Sequence, residues 1–501
     1  MRHLNGVDHM FWALETHTTT GVMGGLIRFE PAAVEERPDA DFMRTRIGER
    51  LVNLPPLRWR MASVPLGLDH SYLAETQRID LDHHVRTVQL AAPGDDAELA
   101  AEVGRLMGEP LDIRRPLWEL VVLEGLADGS IAHLLRVHHV VLDGGSMPVL
   151  IDLLSDAPVN TVDPSWQASE RVEPLFGPVE LLARGVLANV TRPLEMVKFT
   201  GTMTAWYAKR LKRDTATTFP AVMTRLTPGE LAKPAAAILN LRQKAVGAPE
   251  IKPLVPKLRA PSTPFNRKVT AKRVVAYADL PLARLKAVGK SSGATLNDVV
   301  VALCAGALRR YLDDHGGVPK RPLILCVPVG LRDPNEPFRW ANDVSMIFCE
   351  FPTHLADPQQ RLEFARKSVK EAKANLDEMP MEHYQQAAKF LAPQTFAIPA
   401  KIMSRLPGWV PSPATWNVVV SNVRGPARDI HLGGNRIAGI WPTSFLSPVG
   451  GVNITLQSYV DRVDFAVVAC GDHVDEIDSL VDYLHAELEV LADIAGLPTT
   501  G

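Results

Sequence analysis

Two adjacent histidines followed by an aspartate and a glycine are the residues in this chain best suited to chemistry. His138 and His139 precede three apolar residues and then Asp143 and Gly144, which gives an H-H-x-x-x-D-G pattern. An imidazole with an ordinary pKa near ~6.5 is partly neutral at neutral pH and can accept the proton of an attacking alcohol. The pattern therefore indicates acyl transfer, and we predict that His139 is the general base.

A covalent acyl-enzyme is not expected. The stretch 144–147 beside the histidines fails the G-x-S-x-G pattern of a nucleophile elbow, and no cysteine lies near the histidines in sequence. A general base typically contributes on the order of 10²–10⁴ in rate, so the remainder must come from positioning both substrates and stabilising the oxyanion. The simpler route is direct attack within a ternary complex.

The elements around the histidines are predicted to hold them at a strand end. Trp118–Leu123 is typical of a strand, Asp128-Gly129 of a hairpin turn, and Ile131–Val137 of a second strand that ends at the histidines. Glycines then allow a sharp turn, and Ser146 is a plausible N-cap for an apolar helix. Strand, turn and helix together would fix a side chain at the mouth of a cleft.

Two roles for Asp143 fit the pattern: it could orient an imidazole, or it could pair with an arginine and fix the loop. The whole group could also be a polar strand end with a glycine turn. A second pair, His83-His84, lacks the following Asp-Gly, and its alternating surroundings predict a half-buried strand. We assign this pair a structural role first and active-site lining second.

Composition excludes several classes of protein. The chain has 501 residues, 46% hydrophobic content and a net charge of -3, so nothing suggests nucleic-acid binding. No stretch reaches the ~18–20 apolar residues of a membrane span, and no signal peptide is recognisable. The four cysteines show no C-x-x-C spacing, which predicts buried thiols and no metal site. We expect a cytosolic protein, or one bound peripherally at the inner membrane face or at lipid droplets.

The chain divides into three predicted parts. An N-terminal α/β domain carries the histidine motif at residues 1–160, a helical connector and linker covers 161–263, and a second α/β domain covers 264–501. In the second domain, Thr295 is expected to cap a long buried helix with Asp298 in its first turn, and Asn297 could face the domain interface.

The connector leaves two interpretations open. Apolar residues from Leu175 to Val190 fall at three- and four-residue steps, Pro193 interrupts the pattern, and aromatic and basic residues follow up to Arg213. This amphipathic helix could pack across the two domains, or it could meet lipid with its aromatic and basic side chains as anchors. Residues 215–264 are typical of a linker that retains a helix near 229–244.

Several segments together resemble the bacterial wax ester synthase/diacylglycerol acyltransferase family of the chloramphenicol-acetyltransferase-like superfamily. In chain order, they are Asp8-His9-Met10-Phe11 with Gly24-Gly25, Pro110-Leu111-Asp112 with Arg115-Pro116-Leu117-Trp118-Glu119, the histidine motif, Asn297-Asp298-Val299-Val300, Val327-Pro328-Val329 with Leu331-Arg332, and Ser421-Asn422-Val423 with Gly425-Pro426. The resemblance covers nearly the whole chain. It implies an α/β fold of two acetyltransferase-like domains with mixed sheets and a tunnel at their interface.

The resemblance also implies roles for individual residues. His139 matches the family's base, and His138, Asp143 and Gly144 complete its motif. For Asp143 it favours the role of pairing with an arginine, for which Arg332 is our candidate. The remaining matches are Asn297 and Asp298 as supports of the site, Pro116, Leu117 and Trp118 as an element that shapes the acyl tunnel, and Asn422 with Arg424 as substrate-binding residues. Trp118 is equally explained as a core residue. The family commonly has proline at position 424, so Arg424 leaves a less rigid loop or a charge for coenzyme A phosphates.

The implied activity is an O-acyltransferase with acyl-CoA as co-substrate and no cofactor. The acceptor would be diacylglycerol, a long-chain alcohol or both, giving triacylglycerol or wax esters. Two rival functions are a catalytically weak lipid-binding or droplet-associated protein and a carrier-protein-dependent condensation-type acyltransferase. The sequence does not rank the acceptors, the acyl chain lengths or the oligomeric states.

Overall fold

The computed structural model describes residues 2–158, 176–211, 260–377 and 415–498, with short gaps at 5, 32–36, 77, 333–337, 339, 341 and 449, and a few residues between 398 and 405. Of the predicted connector and linker, 161–263, the structure describes residues 176–211 and 260–263. The helix expected near 229–244 lies outside the described residues.

The N-terminal part alternates helices and strands as its sequence pattern predicts. Its strands are β1 (Arg2–His3), β2 (Val22–Phe29), β3 (Trp59–Ala62), β4 (Tyr72–Glu75), β5 (Val85–Gln89), β6 (Trp118–Glu124) and β7 (Ala132–His138). Its helices are α1 (Gly6–Ala13), α2 (Ala40–Arg50), α3 (Leu81–His84), α4 (Asp96–Gly108) and α5 (Met147–Leu154), and the connector helix α6 (Pro178–Leu211) follows.

The C-terminal part continues the alternation. Its strands are β8 (Arg273–Pro281), β9 (Leu323–Gly330), β10 (Val344–Phe351), β11 (Val418–Val423), β12 (His431–Leu432), β13 (Asn435–Thr443), β14 (Val452–Tyr459) and β15 (Arg462–Cys470). Its helices are α7 (Leu282–Ser292), α8 (Leu296–Asp314), α9 (Pro358–Asp377) and α10 (Asp478–Ile494).

The strands form two six-stranded mixed sheets and one three-stranded sheet within the described residues. The first large sheet has the order β12-β13-β2-β7-β6-β5, the second β10-β9-β11-β14-β15-β8, and the small sheet β1-β4-β3. Most neighbours are antiparallel, whereas β5 pairs with β6, and β11 with β9 and β14, in parallel. The predicted mixed α/β fold is confirmed.

One strand pair crosses from the C-terminal part into the N-terminal sheet. β13 pairs antiparallel with β2, with Trp441 opposite Leu26 and Thr443 opposite Gly24. The predicted division at residue 264 therefore does not separate the two large sheets in space, because residues 431–443 complete the first sheet. The pairing of β13 with β2 therefore joins the C-terminal part to the sheet that carries the histidine motif.

The long helix α8 forms the centre of the C-terminal core. Its residues Val299–Ala305 are buried against strands of the second sheet and against α10. The predicted N-cap is confirmed, because the Thr295 hydroxyl accepts a hydrogen bond from the backbone N–H of Asp298 while the Asp298 carboxylate accepts one from the N–H of Thr295. This reciprocal cap fixes the start of the helix.

The connector helix α6 is continuous through Pro193, contrary to the expected interruption. Proline cannot donate a hydrogen bond to the carbonyl four residues earlier, that of Asn189, and this costs roughly 3 kcal/mol in a helix interior. Contacts of the preceding turn with the N-terminal part offset that loss: Asn189 donates to the Leu68 carbonyl, and Arg192 lies 2.6 Å from the Asp69 carboxylate.

Among the described helices, no single one is long and apolar enough to cross a membrane, although α7 and α8 together pass by length and composition as a pair bent by 102°. The four cysteines are buried, as predicted.

Candidate active site

The histidine motif lies where β7 ends. His138 is the last residue of β7, and its N–H donates to the carbonyl of Leu117 at 2.9 Å. The N–H of His139 donates to the carbonyl of Gly21, just before β2, at 2.8 Å. The predicted position at a strand end is confirmed, and the backbone of both histidines is held by neighbouring segments of the same sheet.

His138 is a structural residue. Its Nδ1 accepts a hydrogen bond from the N–H of Val140 at 3.1 Å, so the ring proton lies on Nε2, which donates to Glu15 at 3.2 Å. The ring occupies the space beside Gly21, where any Cβ would collide with the imidazole. With both nitrogens engaged and the side chain 1% exposed, this imidazole cannot reach a substrate.

His139 is held differently. Its ring stacks on Phe11 with centroids 4.1 Å apart and meets the edge of Phe445 at 5.7 Å. Its Nδ1 is buried and has no hydrogen-bond partner among the described residues. The residue as a whole is half-buried. Aromatic packing thus orients the imidazole without engaging both of its nitrogens.

Burial sets the protonation state of His139. Burial lowers the pKa of His139 from its ordinary value to about 4, and the nearby carboxylate of Asp143 offsets the effect only in part. The imidazole is therefore neutral at pH 7, which is the form that accepts a proton.

Asp143 fixes the loop and does not orient an imidazole. Its Oδ1 accepts from the N–H and the hydroxyl of Ser146 at 2.8 and 2.6 Å. Its Oδ2 lies 3.3 Å from the Arg332 guanidinium and accepts from the N–H of Asp343 at 3.2 Å. The predicted contact between Asp143 and Arg332 is present. Ser146 was expected to cap α5, but its side chain is engaged by Asp143, which itself caps the short 3₁₀ turn 144–146.

The segment before β10 adds a contact that the sequence did not indicate. The Asn342 side chain donates to the carbonyl of His139 at 2.6 Å, across 203 residues of sequence. Its Oδ1 is buried without a partner among the described residues. Asn342, Asp343 and Arg332 therefore reach across from the C-terminal part to hold both ends of the histidine loop, and no local pattern marks such long-range contacts.

Phe11, Glu15 and Phe445 are the other site residues that sequence reasoning missed. Phe11 stood within the stretch 8–11 that carried part of the family resemblance, but without an assigned role. Glu15 and Phe445 have no signal in the sequence, because only the fold brings them beside the histidines.

Gly144 allows a close approach of strand β11. A Cβ built at Gly144 would lie 3.3 Å from the Val423 side chain, at the end of β11. Asn422 and Arg424 flank Val423 and are exposed. The structure thus brings the predicted substrate-binding loop next to the histidine turn, and substrate binding by these two residues stays a prediction.

The residues Pro116, Leu117 and Trp118 are buried. The Trp118 indole donates to the carbonyl of Leu57 at 2.8 Å, and its ring stacks on His84 with centroids 4.5 Å apart. Trp118 is therefore a core residue, and its proposed part in shaping an acyl tunnel stays a prediction.

Asn297 and Asp298 lie at the start of α8. The Asp298 carboxylate is engaged in the helix cap. The side-chain nitrogen of Asn297 is buried and unpartnered among the described residues, and no described hydrogen bond joins it to the histidine loop. Asp298 stabilises the start of α8, and a supporting role of Asn297 or Asp298 at the site stays a prediction.

The second histidine pair is not in a strand. His83 and His84 end the short helix α3, whose N-cap Asp80 accepts from the N–H of His83. The alternation that suggested a strand begins only at Val85, because the cap at Asp80 starts a helical turn first. His84 is 1% exposed, its Nδ1 lies 2.8 Å from the Trp118 carbonyl, and burial lowers its pKa to about 4.

A cleft of about 450 Å³ lies between the two large sheets. It is lined by parts of β2, α4, β8 and β13, including Leu26, Tyr277 and Trp441, and His139 is not among its lining residues. The tunnel to His139 stays a prediction.

Comparisons with known proteins identify the family of the chain. The model of the wax ester synthase/diacylglycerol acyltransferase catalytic domain matches residues 4–300, and that of the WS/DGAT C-terminal domain matches residues 340–492. A Mycobacterium tuberculosis protein named as a diacylglycerol O-acyltransferase is 30% identical over 100% of this chain and 99% of its own length. The O-acyltransferase WSD of Acinetobacter baylyi is 26% identical over 99% of this chain and 98% of its own length.

Solved structures give the same result. The wax ester synthase/diacylglycerol acyltransferase from Marinobacter aquaeolei VT8 matches with a TM-score of 0.64 and 27% identity, over 99% of this chain and 100% of its own. The first condensation domain of the calcium-dependent antibiotic synthetase matches with a TM-score of 0.53, over 100% of this chain and 98% of its own, but at 15% identity this likeness shows only a shared fold. The chain belongs to the wax ester synthase/diacylglycerol acyltransferase family of acyltransferases.

Proposed function

We propose that this chain transfers a fatty acyl group from acyl-CoA to the hydroxyl of diacylglycerol or of a long-chain alcohol, with His139 as general base. The observation that carries the proposal is the contrast within the motif. His138 has both ring nitrogens engaged, whereas His139 is neutral, half-buried and oriented by Phe11.

The proposed step needs one proton acceptor. The acceptor hydroxyl gives its proton to a ring nitrogen of His139 as its oxygen bonds to the thioester carbonyl carbon. The carbon–sulfur bond then breaks, and the imidazolium returns the proton to the departing thiolate of coenzyme A. No cofactor or metal is needed in this sequence, because the acyl group arrives already activated as a thioester.

The loop geometry supports this assignment. A base acts only when its nitrogen is held within hydrogen-bond reach of the proton it removes. Gly21 and Asn342 fix the backbone of His139 on either side, and Asp143 fixes the turn that follows. Asn342 holds His139 from the C-terminal part, and Arg332 and Asp343 hold Asp143 from the same part, so packing of the two halves and positioning of the base are coupled in this proposal.

The proposed acceptors are consistent with the aromatic and aliphatic surroundings of His139. Burial of an acyl chain yields about 0.8 kcal/mol per methylene, so an apolar passage can hold a long chain while only the reacting atoms reach the imidazole. Phe11 and Phe445 supply apolar surface on two sides of the ring.

A direct assay tests the proposal. Purified protein is given palmitoyl-CoA with dipalmitoylglycerol or with hexadecanol, thiol release is followed with a colorimetric reagent, and the products are separated by thin-layer chromatography. We expect ester formation with at least one acceptor and its loss in His139→Ala. Equal thiol release by both proteins without ester product would contradict the proposal and favour a lipid-binding role. Ester formed only from an acylated carrier protein would favour the condensation-type alternative.

A further inference from the structure

The connector helix α6 presents a row of aliphatic side chains to solvent. Val179, Val186, Leu187 and Val190 are 80%, 52%, 61% and 66% exposed. They are spaced at three, four and seven residues, so they share one side of the helix, which we call the outer face of α6. Single exposed aliphatic residues are ordinary, but a contiguous row of them marks an interaction surface.

The opposite side of α6 is anchored to the N-terminal part. Leu181 is buried in a small cluster with Val64 and Tyr72. Gly185 lies so close to Val64 and Leu68 that its Cβ would be 2.9 Å from each. Two further turns along, Arg192 pairs with Asp69 at 2.6 Å. These contacts are one and two turns apart on a single side, so the helix is fixed with its outer face turned away from the protein.

The charge of α6 indicates the kind of partner. The helix has five lysine or arginine residues against two glutamates, and with Arg192 paired to Asp69 and Arg184 to Glu180, three basic residues and one glutamate remain. A helix with an aliphatic face and a net positive charge has the composition of helices that lie in the headgroup region of anionic membranes. Protein–protein interfaces are enriched in aromatic and methionine side chains, whereas the four described residues that define the outer face are valine or leucine.

We propose that the outer face of α6 seats the protein on the surface of an anionic phospholipid bilayer. This inference rests on the proposed function, because lipid acceptors dissolve in such a surface and not in water. The helix lies in the plane of the interface, with Val179, Val186 and Val190 in the headgroup and acyl boundary. The anchored side keeps the N-terminal part, and with it the histidine loop, at a fixed height above the membrane.

A binding assay with matched variants tests the surface. Flotation with vesicles of phosphatidylcholine and phosphatidylglycerol is measured for the wild type, for Val186→Gln/Val190→Gln, and for the control Val52→Gln/Ile113→Gln. The control residues lie outside α6 and have nearly the same exposure, 62% and 51%. We expect the α6 variant to bind about tenfold more weakly, and the control to bind like wild type. Equal binding by the two variants would overturn the proposal.

Two further measurements separate the alternatives. Sedimentation velocity over a range of concentrations detects self-association, and a dimer that dissociates in the α6 variant would assign the outer face to a second copy of the chain and overturn the membrane assignment. Thermal unfolding verifies that both variants fold, which is expected because all four replaced side chains are exposed.

Activity distinguishes a failure of this inference from a failure of the proposed function. With octanoyl-CoA and a dissolved short-chain alcohol, the α6 variant is expected to match wild type. With acceptor presented in anionic vesicles, its rate is expected to fall in parallel with binding. Loss of activity on both forms of acceptor would contradict a role confined to membrane seating. An inactive wild type that still floats with vesicles would reject the proposed function and leave the surface assignment standing.

Discussion

The chain contains two histidine pairs in neighbouring parts of the same sheet, and only one pair has the geometry of a catalytic site. His83-His84 precedes β5 and His138-His139 follows β7. In each pair the second imidazole is packed against an aromatic ring, and burial lowers its pKa to about 4. Burial and a shifted pKa therefore do not identify a general base.

The difference between the pairs lies in access and in the contacts of the loop. His84 is 1% exposed and stacked on Trp118, whereas His139 is half-buried. The loop after His139 is held by residues about 200 positions away, whereas the aspartate beside the first pair, Asp80, contacts the exposed Arg115. Contacts from the second half of the molecule therefore distinguish His139, the proposed base, from His84.

The largest expected effect on the acyl-transfer rate distinguishes His139 from His84, the second histidine of the other pair. His139→Gln is expected to lower the acyl-transfer rate by about 10²–10⁴ with little change in melting temperature. His84→Gln is expected to keep the rate per folded molecule and to lower the melting temperature, because stacking on Trp118 and the bond to its carbonyl are lost. Rate assays and thermal unfolding of both variants measure this contrast. Similar rate losses in the two would remove the distinction.

The two aspartates give the next contrast. Asp143→Asn is expected to lower the rate by about 10- to 100-fold, because the partly buried contact with Arg332 and the bonds to Ser146 position the loop. Asp80→Asn is the control, since its pair with Arg115 is largely exposed and such pairs contribute little. Steady-state kinetics at saturating acyl-CoA measures both. An unaffected Asp143→Asn enzyme would show that the loop needs no such support.

Asn342 provides a contact that the first histidine pair lacks. Asn342→Ala is expected to lower kcat about tenfold with KM nearly unchanged, because the variant no longer holds the carbonyl of His139. Asn342→Asp tests the donor specifically, since a carboxylate cannot donate a hydrogen bond to that carbonyl. A rise in KM at constant kcat would assign the residue to substrate binding.

Much of the fold could be predicted from the sequence, because local patterns fix local structure. Alternation and turn residues located the β6–β7 hairpin, and the Thr-x-x-Asp spacing located the capped start of α8. That β12 and β13 join the first sheet could not be predicted. Periodicity shows that a segment is a strand but not which sheet it joins.

The same limit applies to the site. The motif spacing identified His139 and Asp143, and the resemblance indicated Arg332. Asn342, Glu15 and Phe445 were missed, because their contacts with the histidines depend on tertiary packing alone. The sequence predicts that the Ser146 side chain caps α5, but in the structure its hydroxyl donates a hydrogen bond to Asp143.

His84 and His139 are expected to make the stability depend on pH to a similar extent. The unfolded chain binds protons as the pH falls through about 6.5, whereas His84 and His139 in the folded protein stay neutral until about pH 4. The free energy of unfolding is therefore full above pH 7 and declines as the pH falls from 6.5 towards 4. His84→Gln and His139→Gln are expected to flatten this decline by similar amounts, on the order of 3 kcal/mol each at most. Denaturant titrations at pH 7 and pH 5 measure the slope, and a wild-type slope of zero would contradict the burial of these rings.

The pH dependence of kcat/KM tests the role of His139 most directly, because it reports the titration of the free enzyme's base. For wild type we expect a nearly constant value from pH 8 to 5.5 and an acid limb near pH 4, with circular dichroism verifying that the protein remains folded across the range. The residual activity of His139→Ala should show no such limb. An acid limb of wild type near pH 6.5 that persists in His139→Ala would show that another group removes the proton.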